Sequence, residues 1–304
     1  MARLLFVHAH PDDEILTCGV TMAHHVAAGD EVHVLTCTLG EEGDVIPPAL
    51  AHLQGAAGDP LAPWRREELR EAMHRIGAAH AVLGEDPAAG LLSRYRDSGM
   101  AGMPAAHHPR AFAAAPVAEA AALVTEHLRA LAPDVVVTYD EQGGYGHPDH
   151  IQTRRVTMAA LAGLAIADRP ERVYEIRTPQ SWAVEDRDWL AAHVRPQEGL
   201  TLLSLEDPYP PSVGPDDQVT NVVVDTGVRT TQEHALAAHR TQLRVFQGYY
   251  ALSNNLAARL AGREGFTRID PWASGGRGAP STTRRSAPLR RTGGGWVEGL
   301  LAGP

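Results

Sequence analysis

The 304-residue sequence contains no lysine: all 27 of its basic residues are arginines. That absence excludes two large classes of chemistry. A P-loop needs a lysine on its phosphates, and a pyridoxal-phosphate enzyme needs one for its Schiff base. Cysteine is almost absent as well, limited to Cys18 and Cys37, which form no Cys-X-X-Cys pair. Both lie in or beside apolar stretches and read as small buried hydrophobes, and they offer no disulfide framework to imply secretion. Aromatic residues make up only 5% of the chain, so the core is expected to consist of Ala, Val and Leu. No apolar run approaches the roughly 18 residues of a membrane span, and the N-terminus lacks the pattern of a signal peptide. The expected location is therefore the cytoplasm, with no membrane partner. No Gly-X-Gly-X-X-Gly follows the first apolar run and no Gly-X-Ser-X-Gly elbow is present, which argues against a dinucleotide site and a serine hydrolase.

The formal net charge is −10. A nucleic-acid-binding surface is normally basic, because it replaces phosphate counterions; no nucleic-acid partner is expected. The length suits one large domain, or a main domain with a smaller appendage.

Arg3 to Ala9 is a short apolar run of the kind buried on both faces of a parallel sheet. A polar turn from His10 to Glu14 follows, then a helical pattern from Leu16 to about Val26 and a second strand from Glu31 to Cys37. This rhythm opens a doubly wound sheet. Residues 38 to 63 form a long Gly/Pro/Ala-rich loop, and loops of that length are usually functional. Further helices are predicted over Trp64–Ile76, Pro116–Leu131, from His150 to about Ala167, and over Arg229–Leu243. Strands are predicted at His80–Leu83, Asp134–Tyr139, Arg172–Arg177 and within Asp216–Asp225. The expected fold is α/β, a Rossmann-like, mostly parallel sheet with helices on both faces, plus a smaller C-terminal portion. The expected division is a metal-binding catalytic core (1–170), a portion completing the substrate site (171–262) and a largely flexible tail (263–304).

Two polar clusters follow predicted strands. One holds His8, His10, Asp12 and Asp13; the other holds Tyr145, His147, Asp149 and His150. Ligands of open α/β sheets bind outside the C-terminal ends of strands, so two loops far apart in sequence are expected to meet there. Imidazole and carboxylate donors suit zinc, with three protein ligands and one open position in a catalytic site. A further carboxylate would then serve as base. Pro11 and Pro148 fix φ in the two turns. Either His-Pro-Asp triplet alone would be compatible with simple helix capping; their pairing points to a metal. Spacing does not say which three residues bind.

Ala9–Glu14 (AHPDDE) paired with Gly146–His150 (GHPDH) resembles the LmbE-like, or PIG-L-like, family of zinc-dependent N-deacetylases. The motifs LLFVHAHPDDE, HVLTCTLGEEG (33–43), YRDSGMAG (95–102), VVVTYDEQGGYGHPDH (135–150) and ALSNNLA (251–257) resemble the branch that deacetylates N-acetylglucosaminyl-inositol in the mycothiol pathway. The likeness runs from about residue 3 to 257 and is weakest between 165 and 230. It implies an amino-sugar substrate and one Zn²⁺ per subunit, Fe²⁺ being an alternative, held by His10, Asp13 and His150. It further implies Asp12 as general base, Tyr145 as oxyanion stabiliser, His147 as electrophile or acid near the leaving amine, and Asp149 as the group orienting a neighbouring histidine. Arg65 and Asp97 match positions that hold sugar or inositol hydroxyls, although Arg66 competes with Arg65. His8 is expected to pack rather than ligate, Glu14 to favour a helix N-terminus, and Glu41 and Glu42 to lie in a loop that lines the site or faces solvent. Where the family often has Ser-Leu after HPDDE, this chain has Ile15-Leu16.

Three alternatives accompany this reading. An S-conjugate amidase would use the same motifs. A His-X-His barrel hydrolase would need eight βα units, and few strands are visible. A non-catalytic sugar-binding module with structural zinc would normally supply cysteines near the clusters.

Overall fold

The computed structural model describes residues 1–195, 199–273 and 299–301. Its centre is a seven-stranded sheet, five strands of which are ordered by parallel crossovers. Strand β1 (Arg3–His8) leads through helix α1 (Asp13–Ala27) to β2 (Glu31–Thr36), and α2 (Leu61–Ile76) leads to β3 (Ala79–Val82). The chain then reverses its direction of travel across the sheet. Helix α3 (Val117–Leu131) returns it to the other side of β1, where β4 (Val135–Thr138) pairs in parallel, followed by a single turn α4 (Gly143–Gly146), helix α5 (Pro148–Ala162) and β5 (Arg172–Ile176). The five strands β3-β2-β1-β4-β5 are parallel. The change of direction at β1 and β4 is the switch point where such sheets open a crevice.

Side-chain alternation on β1 shows how both faces are buried. Leu4 and Phe6 enter one core with residues of α1 and α2, and Leu5 and Val7 enter the other with residues of α3 and α5. Successive residues of a strand point to opposite faces, so a continuous apolar run is what a sheet covered on both sides requires. On the second face, Ala120, Ala121, Val124 and Leu128 form the buried stripe of α3. Ala160 and Leu161 of α5 share that core, and the small residues permit close helix approach. Gly77 ends α2 at φ 86°, a left-handed cap that glycine adopts without a Cβ penalty. Cys18 and Cys37 are both buried and unpaired.

The remaining elements extend this unit. After a two-residue strand β6 (Thr178–Pro179) and helix α6 (Gln180–His193) come β7 (Val213–Gly214), which pairs with β6, then β8 (Asn221–Val224) and α7 (Arg229–Leu236). A three-stranded meander of β9 (Leu243–Phe246), β10 (Tyr249–Leu252) and β11 (Ala257–Arg259) follows. Strand β12 (Arg263–Ile269) then inserts antiparallel between β5 and β8. The central sheet thus crosses the division expected at residue 170.

Several expected boundaries need correction. Arg263–Ile269, assigned to the tail, forms a sheet strand; the later tail residues 274–298 and 302–304 lie outside the described residues. Helix α2 begins at Leu61, with Pro63 in its first turn, where a missing N–H leaves no bond unmade. Helix α7 ends at Leu236, and Leu243 starts a strand. The helix expected to reach Ala167 stops at Ala162, before Gly163. Helix α6 and the meander were not foreseen. No helix among the described residues is long and apolar enough to cross a membrane.

Candidate metal centre and active site

The β1–α1 turn and the α4–α5 turn meet, although they are separated by about 140 positions in sequence. Nδ1 of His10 lies 3.3 Å from Oδ2 of Asp13. Nε2 of His150 lies 3.2 Å from each of those two atoms. These three atoms form a nearly equilateral triangle. Tetrahedral zinc with bonds of roughly 2.0–2.1 Å requires ligand atoms about 3.3–3.4 Å apart, so the donor types and spacing fit one face of such a site.

The other edges of the rings are held in a way that selects the right tautomers. His10 presents Nε2 to Oδ2 of Asp149 at 3.3 Å and to Oδ1 of Asp97 at 3.5 Å. His150 presents Nδ1 to the carbonyl of Gly143 at 3.1 Å. A proton on each of those nitrogens leaves Nδ1 of His10 and Nε2 of His150 as free donors of electron pairs, as metal-binding histidines need. Oδ2 of Asp149 also accepts from the Ser98 amide at 2.8 Å.

Other donor groupings share His10: one with His147 and His150, another with Asp97 and Asp149. Both are buried. In His147, Nδ1 accepts the Asp149 amide at 3.2 Å and so caps α5. Capping in this motif therefore comes from histidine, not from the aspartate that the triplet suggested. Burial and the neighbouring His10 and His150 hold His147 down to a pKa of about 3, so its ring is neutral.

The electrostatics favour a cation. Burial works against a charge on His10, yet Asp97 and the hydrogen bonds of Asp13, Asp149 and Asp97 raise its pKa well above the imidazole range. Burial would raise Asp13, but His150 and His10 pull it well below the carboxylate range. A buried carboxylate surplus with two imidazoles is a donor set that a divalent ion neutralises.

Asp12, like His10 and Asp13, lines a cavity of about 300 Å³ that also takes in Glu42, Asp44, Arg65, Asp97, Tyr145, His147 and Gln242. Burial pushes the Asp12 carboxyl up to a pKa of about 7, against the charge of Arg65. Arg65 is buried on α2; it donates to the carbonyls of Gly40 (2.8 Å) and Pro11 and to Oδ2 of Asp12 (3.1 Å). Its terminal nitrogens are thus engaged by the protein. Arg66 turns away to Glu85. Asp97 is buried, and its Oδ1 accepts the Gly99 amide at 2.8 Å. Tyr145 is 53% exposed and stands edge-on to His147 and His150.

Of the remaining residues, His8 is fully buried and edge-on to Tyr139, with no hydrogen bond to either ring nitrogen. Glu41 is buried and accepts the Asp97 amide; Glu42 pairs with Arg96 and lines the cavity. Glu14 is fully buried and does more than sit at a helix start, since it bonds both the Asp12 amide and His239. Tyr139 and His239 carried no polar signal that spacing would reveal.

A family model described as PIG-L, GlcNAc-PI de-N-acetylase, matches residues 5–161, which spans both turns. This chain belongs to that family. It is 43% identical to a 1D-myo-inositol 2-acetamido-2-deoxy-alpha-D-glucopyranoside deacetylase of Streptomyces scabiei, over 90% of this chain and 86% of that protein. A protein of the same name from Geodermatophilus obscurus is 40% identical over 99% of this chain and 97% of its own length. Among solved structures, the N,N'-diacetylchitobiose deacetylase of Pyrococcus horikoshii superposes with a TM-score of 0.50 at 20% identity, covering 79% of this chain and 70% of that one. That likeness concerns the fold.

Proposed function

We propose that this chain hydrolyses the N-acetyl group of 1-O-(2-acetamido-2-deoxy-alpha-D-glucopyranosyl)-myo-inositol, giving acetate and the free amino sugar of mycothiol biosynthesis. The observation that carries the chemistry is the triangle of His10, Asp13 and His150 donor atoms with the Asp12 carboxylate beside it. The substrate is carried by the names of relatives that match nearly the whole chain.

In this reading His10, Asp13 and His150 hold one Zn²⁺, with Fe²⁺ compatible with the same donors. When bound, the ion supplies Lewis-acid polarisation of the amide carbonyl and acidifies water. Asp12 takes the proton of the attacking water. The Tyr145 hydroxyl donates to the oxygen on which charge develops. His147, neutral and with Nδ1 already accepting, carries its proton on Nε2 and acts as an electrophile by hydrogen bonding from there, while Asp12 passes the proton it took from water to the leaving nitrogen. Asp149 holds His10 in the tautomer that leaves Nδ1 free. Asp97 reads a substrate hydroxyl, while Arg65 braces the Asp12 turn as well as closing the cavity wall. Amide-bond cleavage of a thiol conjugate is a second reading, favoured by the exposed apolar residues Met100 and Met103 that line the cavity beside the polar groups; kinetics on both substrates rank the two.

The direct test is incubation of zinc-loaded protein with N-acetylglucosaminyl-inositol, with and without a chelator, while free primary amine is measured. Chelator-sensitive amine release is expected. No release from fully loaded protein rejects the reading.

A further inference from the structure

Asp12 has a backbone that an aspartate does not adopt unaided, with φ 109° and ψ −35°. Such a conformation is strained and persists only where its surroundings enforce it. Its own side chain makes no capping bond to α1. The Asp12 amide instead donates to Oε2 of Glu14 at 3.0 Å. The other oxygen of Glu14, Oε1, lies 3.0 Å from Nε2 of His239, and both side chains are fully buried.

A fully buried carboxylate needs a partner, because desolvation of an unpaired charge is expensive. His239 supplies it from a turn after α7, more than two hundred residues away in sequence. Burial alone would lower its pKa, but the charge and hydrogen bond of Glu14 raise it above the imidazole value. The turn is itself fastened: Thr241 donates through its amide (3.0 Å) and hydroxyl (2.7 Å) to Glu68 on α2. His239 is therefore held at a fixed place against Glu14.

We propose that His239 is a positioning residue for Asp12, acting through Glu14 to hold the Asp12 peptide in the strained conformation that presents its carboxylate to the cavity. The catalytic part of this inference rests on Asp12 being the base; the geometric part does not. Neither His239 nor Glu14 lines the cavity.

The test uses full-length, zinc-loaded protein and the variants His239→Leu, His239→Gln and Glu14→Gln. In His239→Leu, kcat on N-acetylglucosaminyl-inositol is expected to fall about ten- to a hundredfold, the range typical of outer supports, with KM and zinc content unchanged. The Asp12 amide is expected to exchange at least about tenfold faster while the amides of Val20 to Ala23 keep their protection, since local opening need not follow global stability. His239→Gln, whose side-chain amide can donate to Oε1, is expected to recover most of both. An unchanged kcat in folded His239→Leu overturns the catalytic part. An unchanged Asp12 exchange rate overturns the geometric part, and so does uniform loosening of all of α1. Should His239→Leu not fold, Glu14→Gln is read by the same two measurements with the same outcomes. If Asp12→Asn is itself active while Asp12 exchange still responds to His239, the base assignment fails and the positioning geometry stands.

Discussion

The phenolic oxygen of Tyr139 lies 2.8 Å from Oδ2 of Asp13, and its ring stacks on His150 at a centroid distance of 4.3 Å. One buried side chain at the end of β4 thus touches two members of the donor trio, one from each turn. It also accepts the Ala9 amide at 3.0 Å, tying β1 to the same point. Tyr139→Phe keeps the stacking and removes the hydroxyl. Loss of such outer hydrogen bonds typically weakens metal affinity about 10–100-fold. Zinc titration against a chromogenic chelator is expected to show that loss with thermal stability of the metal-free protein little changed; an unaltered zinc affinity would remove Tyr139 from the account.

Gly143 is as constrained as any residue in the site. Its φ is +61°, and a Cβ built there would come within 2.6 Å of the His150 Cβ and 2.7 Å of the Ile151 nitrogen. Its carbonyl is also the acceptor that sets the His150 tautomer. Gly143→Ala must therefore move His150 or the start of α5. Gly144 has φ +79° with nothing within 4 Å of such a Cβ, so Gly144→Ala carries the backbone penalty without the clash. Gly143→Ala is expected to lose bound zinc, and Gly144→Ala to keep it, as read by metal analysis of the purified proteins. Equal retention by both would show that the α4–α5 turn tolerates displacement.

The assignment of Asp12 separates binding from chemistry. Asp12→Asn is expected to retain one zinc per chain and to lose turnover by about 10²–10⁴, the range for general acid–base groups. His10→Ala, which removes a donor, is expected to lose the metal itself. Normal hydrolysis by Asp12→Asn would transfer the base role elsewhere.

These three sets of residues show what the sequence could and could not reveal. The meeting of the two clusters was legible because two His-Pro-Asp turns follow buried strands, and the topology of a doubly wound sheet brings strand ends together; the choice of His10, Asp13 and His150 within them came from the family resemblance alone. The parallel half of the sheet was legible for the same reason: β1 and β4 are continuous apolar runs, which only burial on both faces explains. Tyr139 was hidden because a tyrosine ending a strand of valines looks like core. Glu14 looked like a helix-start acid, since its partner, His239, is brought to it only by the packing of α7 against α1. The strand β12 was obscured by Gly265, Glu264 and two arginines. A polar strand gains its place from its neighbours, and here Glu264 turns out to be buried rather than exposed. Helix α6 lacks a broad apolar stripe, with only Arg187 and Leu190 buried, so periodicity had little to detect.

Glu264 provides a test of stability against pH that lies away from the donor trio. It reaches from β12 into α1, where Oε1 accepts the Val20 amide and Oε2 accepts the Thr21 amide and hydroxyl. Burial nevertheless outweighs these bonds and raises its pKa from 4.5 to about 7. The folded protein then holds a proton that the unfolded chain releases near pH 4.5. Between those values the native state binds more protons than the unfolded state, so stability falls as pH rises. At 1.36 kcal/mol per unit, the interval from 4.5 to about 7 bounds the effect at roughly 3 kcal/mol. Glu264→Gln cannot ionise and lacks this slope, although it gives up one acceptor at all pH values. The melting temperature of the native protein relative to Glu264→Gln is therefore expected to decline from pH 5 to about pH 7 and to level off by pH 8, measured by thermal unfolding at matched zinc loading. A difference that stays constant across that range would mean that the Val20 and Thr21 donors hold Glu264 ionised throughout.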